Sequence, residues 1–267
     1  AFSAGKRQLL NSAAVFEYVF RVSRSFDGGS NAVVTYHSVG GPDEMSQNLS
    51  TGRLRRDLAY LMENFEVVDL PDVLEHEAGS KRIAVTFDDG FQNFYTDALP
   101  VLRAYNVPVT LFVSSGLIGE TNSDRLASRF GIAEADAVPT LDDEQLRELT
   151  DSPIVTLGNH TRTHPDLTAI EDVERLRREI AGARAELERR FGITVDRFAY
   201  PRGPYDDRCE SIVRDSHELA VTGDSSLVHE GVDRHRIPRL PAERFEPRAH
   251  WQLFDLHERA DTRLTSA

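Results

Sequence analysis

The sequence predicts an α/β fold with a parallel sheet, because short apolar β runs alternate with stretches of helical periodicity along the chain. A second observation points the same way: several β runs end directly in loops rich in Asp, His, Pro and Gly, as the functional face of such a sheet does. The β runs are Ala32 to Tyr36, Glu66 to Leu70, Ile83 to Phe87, Val109 to Val113, Ile154 to Leu157, Arg197 to Tyr200, Leu219 to Thr222 and Arg236 to Leu240. A length of 267 residues is common for a single α/β barrel, so one core is the default reading.

Between the runs, Leu54, Leu58, Leu61, Met62 and Phe65 recur at helical spacing, and so do Val173, Leu176, Ile180, Ala183, Leu187 and Phe191, after which Gly192 ends the helix. Thr140 and Asp143 have the spacing of a capping box opening a helix from Leu141 to Leu149. Residues 119–139 read as an insertion between a strand and the next helix, either bordering a groove on the rim or making a plain surface excursion. Residues 6–24 carry Leu9, Leu10, Ala13, Phe16, Val19 and Phe20 flanked by Lys6, Arg7, Arg21 and Arg24. We read them as a helix packed on the domain, the alternative being contact with an anionic membrane surface. Trp251, Leu253, Phe254 and Leu256 fit a last packing helix.

Hydrophobic residues at 40% and charged residues at 28% describe a globular chain. The formal charge of −13, from 44 acidic against 31 basic residues, argues against a broad basic face for nucleic acid. Cys209 is the single cysteine, which rules out an internal disulfide and a cysteine-based metal site. No run of about 18 apolar residues is present, and Ala1 to Lys6 lacks the ordered regions of a signal peptide, so the expected location is cytoplasmic or peripheral to a membrane.

Three motifs carry chemistry. Thr86-Phe87-Asp88-Asp89-Gly90 places two carboxylates just past a β run, where adjacent residues face different ways and one can hold a metal while the other takes a proton. His160-Thr161-Arg162-Thr163-His164 follows another run, and two histidines four apart lie on one side of a helical turn, a common way of offering imidazoles to one ion; Pro165 follows at once, so the stretch is a single turn or loop. Arg197-Phe198-Ala199-Tyr200-Pro201-Arg202-Gly203 is a third run with a Pro-Gly exit. Each motif alone has a structural reading as a turn; together they fall at the carboxyl ends of strands, where barrels assemble active sites. Two imidazoles and a carboxylate suit zinc or a similar divalent ion, and a second carboxylate nearby suits a general base for acyl-bond hydrolysis.

These residues resemble the polysaccharide deacetylases, carbohydrate esterase family four, from about Val33 to Leu240. The likeness is densest in IAVTFDDGFQNFYTDALPVLRAYNVPVTLFV, GNHTRTHPDL and RFAYPRGPYDD, and VTYHSVG is similar to the family's opening strand. The resemblance implies a distorted (β/α) barrel of about seven parallel strands over 32–240; the residue patterns at the two ends add 1–31 as an N-terminal helix packed on it and 241–267 as a helical tail. It also implies a hydrolase of carbon–nitrogen bonds that removes N-acetyl groups from an acetylated carbohydrate; O-acetyl esters, a cyclic amide, or glycan binding without turnover are the alternatives. By position, Asp88 resembles the general base that activates a water on the metal, and Asp89, His160 and His164 resemble the ligands of a divalent ion, often Zn2+. Tyr200 and Arg202 fall at the substrate and oxyanion positions, the backbone N–H of Arg202 being the oxyanion donor by similarity.

Two departures stand out. The family's third motif has an Arg that orients the base and a Tyr before the Gly, where this chain has Ala199 and Arg202. The Arg202 guanidinium has an alternative reading as a contact for a substrate carboxylate or phosphate. The family's late Leu-x-His general acid has no clear counterpart either: His229 comes too soon after the third motif, His235 lacks the pattern, and His37 follows a strand facing the same rim.

Overall fold

The computed structural model describes residues 31–42, 45, 47–77 and 81–243; the stretch 6–24 and the helix expected around Trp251 lie outside them. The first half of the chain forms β1 (Ala32–Tyr36), β2 (Ser38–Val39), β3 (Asn48–Leu49), α1 (Thr51–Asn64), β4 (Glu66–Val68), β5 (Arg82–Phe87), α2 (Leu99–Tyr105) and β6 (Val109–Val113). The second half forms α3 (Ser123–Phe130), α4 (Asp143–Thr150), β7 (Val155–Asn159), α5 (Val173–Arg177), α6 (Ala183–Phe191), β8 (Arg197–Ala199), α7 (Asp207–Ser216), β9 (Leu219–Val221) and β10 (Leu240–Pro241).

The main sheet runs β10-β1-β5-β6-β7-β8-β9, with β4 beside the first half of β5, and the pairings are parallel. Its two edges approach through one segment: Ile237 bridges to Val221 of β9, while Leu240 and Pro241 pair with Val34 and Thr35 of β1. This is the expected distorted barrel of about seven parallel strands, closed by a strand only two residues long.

Period-two alternation explains how the sheet is buried on both faces. Val34, Tyr36, Ile83, Val85 and Phe87 face outward into a cluster with Leu54, Leu58 and Leu61 of α1. Val33, Ala84, Phe112, Ala199, Val221 and Ile237 form a second cluster, the barrel interior. Continuing that inward face along each strand reaches Thr35 then His37, Thr86 then Asp88, Gly158 then His160, and Ile237 then Arg239. The upper interior layer is therefore polar and charged, above an apolar one.

Several local expectations are corrected. The helix at 143–150 is opened by Asp142, whose capping-box partner is Gln145, while the Thr140 hydroxyl instead bonds to Leu117 O. The β run Glu66 to Leu70 stops at Val68, because Asp69 caps a 3-10 turn over Leu70–Leu74 that contains Pro71. Met62 and Val173 are exposed at 46% and 43%: Met62 lies one helical step off the Leu54–Leu58–Leu61 stripe, and Val173 sits at the helix start before its stripe begins. Gly192 does end α6 in the left-handed conformation, with φ 70°. The α5–α6 helix is continuous through a π turn, Arg178–Gly182.

Candidate active site

Asp88 and Asp89 leave β5 in different directions because the backbone turns between them. Asp88 N–H still follows the ladder, donating to Tyr36 O, whereas Asp89 and Gly90 are both left-handed, with φ 69° and 65°. Asp tolerates that conformation better than most residues, and such strain is typical of functional turns. Gly90 is required on a second count, since a Cβ there would sit 2.9 Å from Val113 Cγ1.

The two histidines are presented by a loop rather than by the helical turn their spacing suggests: Thr161 and His164 are left-handed, with φ 67° and 53°. Side chains enforce the loop. Asn159 Oδ1 accepts from Thr161 N–H, and its Nδ2 donates to Ile180 O and meets His217 Nε2 at 3.0 Å. Glu179, buried on the π turn, accepts from the N–H groups of Arg162 and Thr163 and from the Thr163 hydroxyl. π turns inside α-helices often mark such functional supports. The imidazole centroids end 4.9 Å apart.

Hydrogen bonding fixes which nitrogens face inward. His160 Nδ1 lies 2.8 Å from Ala199 O, and His164 Nδ1 lies 2.8 Å from Arg129 O, so both Nδ1 atoms carry hydrogen. In the neutral rings, both Nε2 atoms are then bare lone pairs. They approach Asp89 Oδ1 at 3.5 Å and 3.3 Å, and that buried oxygen has no hydrogen-bond partner among the described residues. Burial, reinforced by the neighbouring His160 but opposed by Asp89, pushes His164 down to about 4, which keeps its ring neutral at pH 7. Burial raises the Asp89 carboxyl, but His164, His160 and His37 outweigh it and hold it below the usual range. Three acceptors within 4.8 Å of one another, with no hydrogen to share, fit a divalent cation.

Asp88 belongs to a different set of contacts. Arg239 donates to both its oxygens, at 2.7 and 2.8 Å, and each side chain is only 4% exposed. Burial alone would raise the Asp88 carboxyl; the charge of Arg239, then of His160, overrides it and holds the group well below the usual carboxylate range. Arg239 thus supplies the orienting guanidinium whose place in the third motif is taken by Ala199, and it comes from the opposite edge of the sheet. The motif-based reading missed it, although it falls on the inward register of the expected run Arg236 to Leu240.

His37 is the histidine that reaches the site. Its Nε2 is 4.0 Å from Asp88 Oδ2, and its Nδ1 is 2.9 Å from Glu243 Oε1. His235 instead meets His217 O, and His229 does not line the cavity. The cavity, of roughly 400 Å³, is lined by all of Asp88, Asp89, His160, His164, Tyr200 and Arg202, together with His37, Phe130, Arg239 and Glu243. Phe130 comes from α3, so the insertion at 119–139 does border the cavity. Tyr200 is 1% exposed and its ring stacks on Tyr205, packed with Phe198, Cys209 and Ile212. Arg202 is exposed and left-handed, with φ 61°.

The fold is a parallel (β/α) barrel, and at the carboxyl ends of its strands it groups one carboxylate and two imidazoles that could hold a cation. The chain belongs to the polysaccharide deacetylase family, whose sequence profile matches residues 75–218. It is 30% identical over 136 residues to the poly-beta-1,6-N-acetyl-D-glucosamine N-deacetylase of Escherichia coli K12, covering 48% of this chain and 20% of that protein. It is 25% identical over 171 residues to the Staphylococcus epidermidis protein of the same name, covering 60% and 54%. The chain therefore spans only part of the length of these relatives. Among solved structures, IcaB from Ammonifex degensii shares the fold with a TM-score of 0.71 at 22% identity, over 85% of this chain and 97% of that one. No helix among the described residues is long and apolar enough to cross a membrane.

Proposed function

We propose that this chain is a metal-dependent N-deacetylase acting on a polymer or oligomer of N-acetylated hexosamine. The observation that carries the reading is the division of labour inside one cavity: three converging lone pairs on Asp89, His160 and His164, and a separate carboxylate, Asp88, kept anionic by Arg239 at 4.0 Å from His160 Nε2. The substrate class is supported by the names of the two relatives, both deacetylases of poly-beta-1,6-N-acetyl-D-glucosamine.

Asp89, His160 and His164 would hold the ion, and a set of two imidazoles and one carboxylate favours Zn2+. When bound, such an ion lowers the pKa of a coordinated water and polarises an acyl oxygen. Asp88 accepts a proton from the attacking water as the new C–O bond forms at the acetamide carbon. The Arg202 backbone N–H donates to the carbonyl oxygen as it gains charge. His37 Nε2–H gives its proton to the amide nitrogen as the C–N bond breaks, leaving acetic acid and the sugar amine, and the acid's proton passes to the amine to give acetate and the sugar ammonium. The proton held on Asp88 then crosses the 4.0 Å to His37 and resets the pair.

This role requires His37 to be protonated at neutral pH. Burial lowers its pKa, but Glu243, followed by Asp88 and Asp89, outweighs burial and raises it to about 9. A raised pKa makes His37 a stabilising cation, with that contribution complete below about pH 6.5, its unperturbed value, and lost as the pH climbs to about 9. In the metal-free protein, the His37 ring is expected to titrate near 9 by NMR, and Glu243→Gln to move it down. An unmoved titration in Glu243→Gln would remove Glu243 as the cause.

Acetate release from β-1,6-linked and β-1,4-linked N-acetylglucosamine oligomers and from an O-acetylated sugar tests the substrate class. Release from the N-acetylated oligomers, faster for the β-1,6 linkage, is the expected result; release from the ester alone would overturn the reading.

A further inference from the structure

Arg202 occupies the place where the family resemblance expects Tyr, and its side chain reaches the end of α3. Its Nη2 donates to Arg129 O at 2.7 Å. The same carbonyl oxygen is the acceptor for His164 Nδ1 at 2.8 Å. Arg129 lies in the last turn of α3, where helix carbonyls lack intrahelical partners and carry the negative end of the helix dipole. Gly131 closes the helix in the left-handed conformation, and a Cβ added there would lie 3.5 Å from Arg202 Nη1, so the guanidinium rests against the helix cap.

A carbonyl oxygen has two lone pairs. Here one receives the imidazole of a proposed metal ligand and the other receives a cation from the third-motif loop. We propose that Arg202 is a positioning residue: by occupying one lone pair of Arg129 O it fixes the end of α3, aims the other lone pair at His164 Nδ1–H, and so sets the orientation of His164 Nε2 toward the metal. The inference rests on the metal site proposed above. It differs from the reading of Arg202 as a contact for substrate charge in resting on a hydrogen bond that the guanidinium makes to the helix end. It also gives the 119–139 insertion a task at the metal site beyond bordering the cavity.

The test is Zn2+ affinity, by competition with a chromophoric chelator, for the native chain, Arg202→Met and Arg202→Lys. Loss of an outer partner of a metal-bound imidazole commonly weakens binding by 10–100-fold, and the solvent exposure of Arg202 places it at the low end, about 10-fold. Arg202→Lys, which can still donate to the carbonyl, should recover most of the loss. The absorption bands of the Co2+-loaded protein should shift in Arg202→Met, and any fall in turnover should shrink as Zn2+ is raised toward saturation. Because the side chain is exposed, Arg202→Met should fold, which its Tm checks. Native Zn2+ affinity in Arg202→Met would overturn the proposal, and a raised KM at saturating Zn2+ would return the guanidinium to the substrate. Absence of Zn2+ binding in the native chain would instead overturn the metal site itself.

Discussion

Arg239→Met is expected to lower the stability of the fold by about 3–5 kcal/mol, the usual cost of leaving one member of a buried ion pair without its partner. Arg239 and Asp88 are each 4% exposed, and the guanidinium also donates to Thr35 Oγ1, Thr86 Oγ1 and Thr222 O. Removing it strands the Asp88 carboxylate inside the barrel, where burial then raises its pKa against only the remaining pull of His160 and His37. The sign of the pH effect follows. In the native chain the depressed carboxyl contributes stability that is present above the unfolded value near 4 and lost only as the pH falls toward its lower folded value. Arg239→Met should lose that contribution at neutral pH, and turnover should fall with it as Asp88 ceases to be a ready base. Urea unfolding is the measurement, and the double variant Arg239→Met/Asp88→Asn should regain part of the loss because no charge is left stranded. Strictly additive losses would contradict the coupling.

Asp88→Asn should have the largest effect on turnover, about a 10³-fold loss, within the range general-base removal produces. Zn2+ affinity should change little, because Asp88 stands outside the group formed by Asp89, His160 and His164. Asp89→Asn should behave in the opposite order, losing the ion first and turnover as a consequence. Zinc content and acetate release, measured together on both variants, separate the roles. Equal loss of zinc from both would mean that the two carboxylates share the ion.

How much of this was legible beforehand depended on whether the signal was local. Asp88, Asp89, His160 and His164 sit in two short motifs, each immediately after a β run, so residue type and position sufficed. The strand segments of β1 and β6 were equally plain, since Ala32–Tyr36 and Val109–Val113 are apolar runs with sharp ends. The closing segment is expected as a run from Arg236 to Leu240, but its hydrogen bonds are divided between Val221 on one edge and Val34 on the other, leaving only Leu240 and Pro241 as a strand. Arg239 lies inside that expected run but in none of the three motifs; alternation from Ile237 puts it on the buried face, where an unpaired charge demands a partner. His37 could be named but not chosen, because Glu243, the group that holds it, lies 206 positions away along the chain. At His160–His164 the sequence allows a single turn or a loop, because spacing conveys nothing about the left-handed Thr161 and His164, which Asn159 and Glu179 impose from outside.

The central claim is that an ion held by Asp89, His160 and His164 and a base at Asp88 together remove acetyl groups from a hexosamine oligomer. Acetate release from a β-1,6-linked N-acetylglucosamine oligomer, measured on chelated protein before and after stoichiometric Zn2+, tests it most directly. No release from the chelated chain, and release restored by Zn2+, are the expected results. Undiminished release from the chelated chain, or a fully zinc-loaded chain with no release, would contradict it.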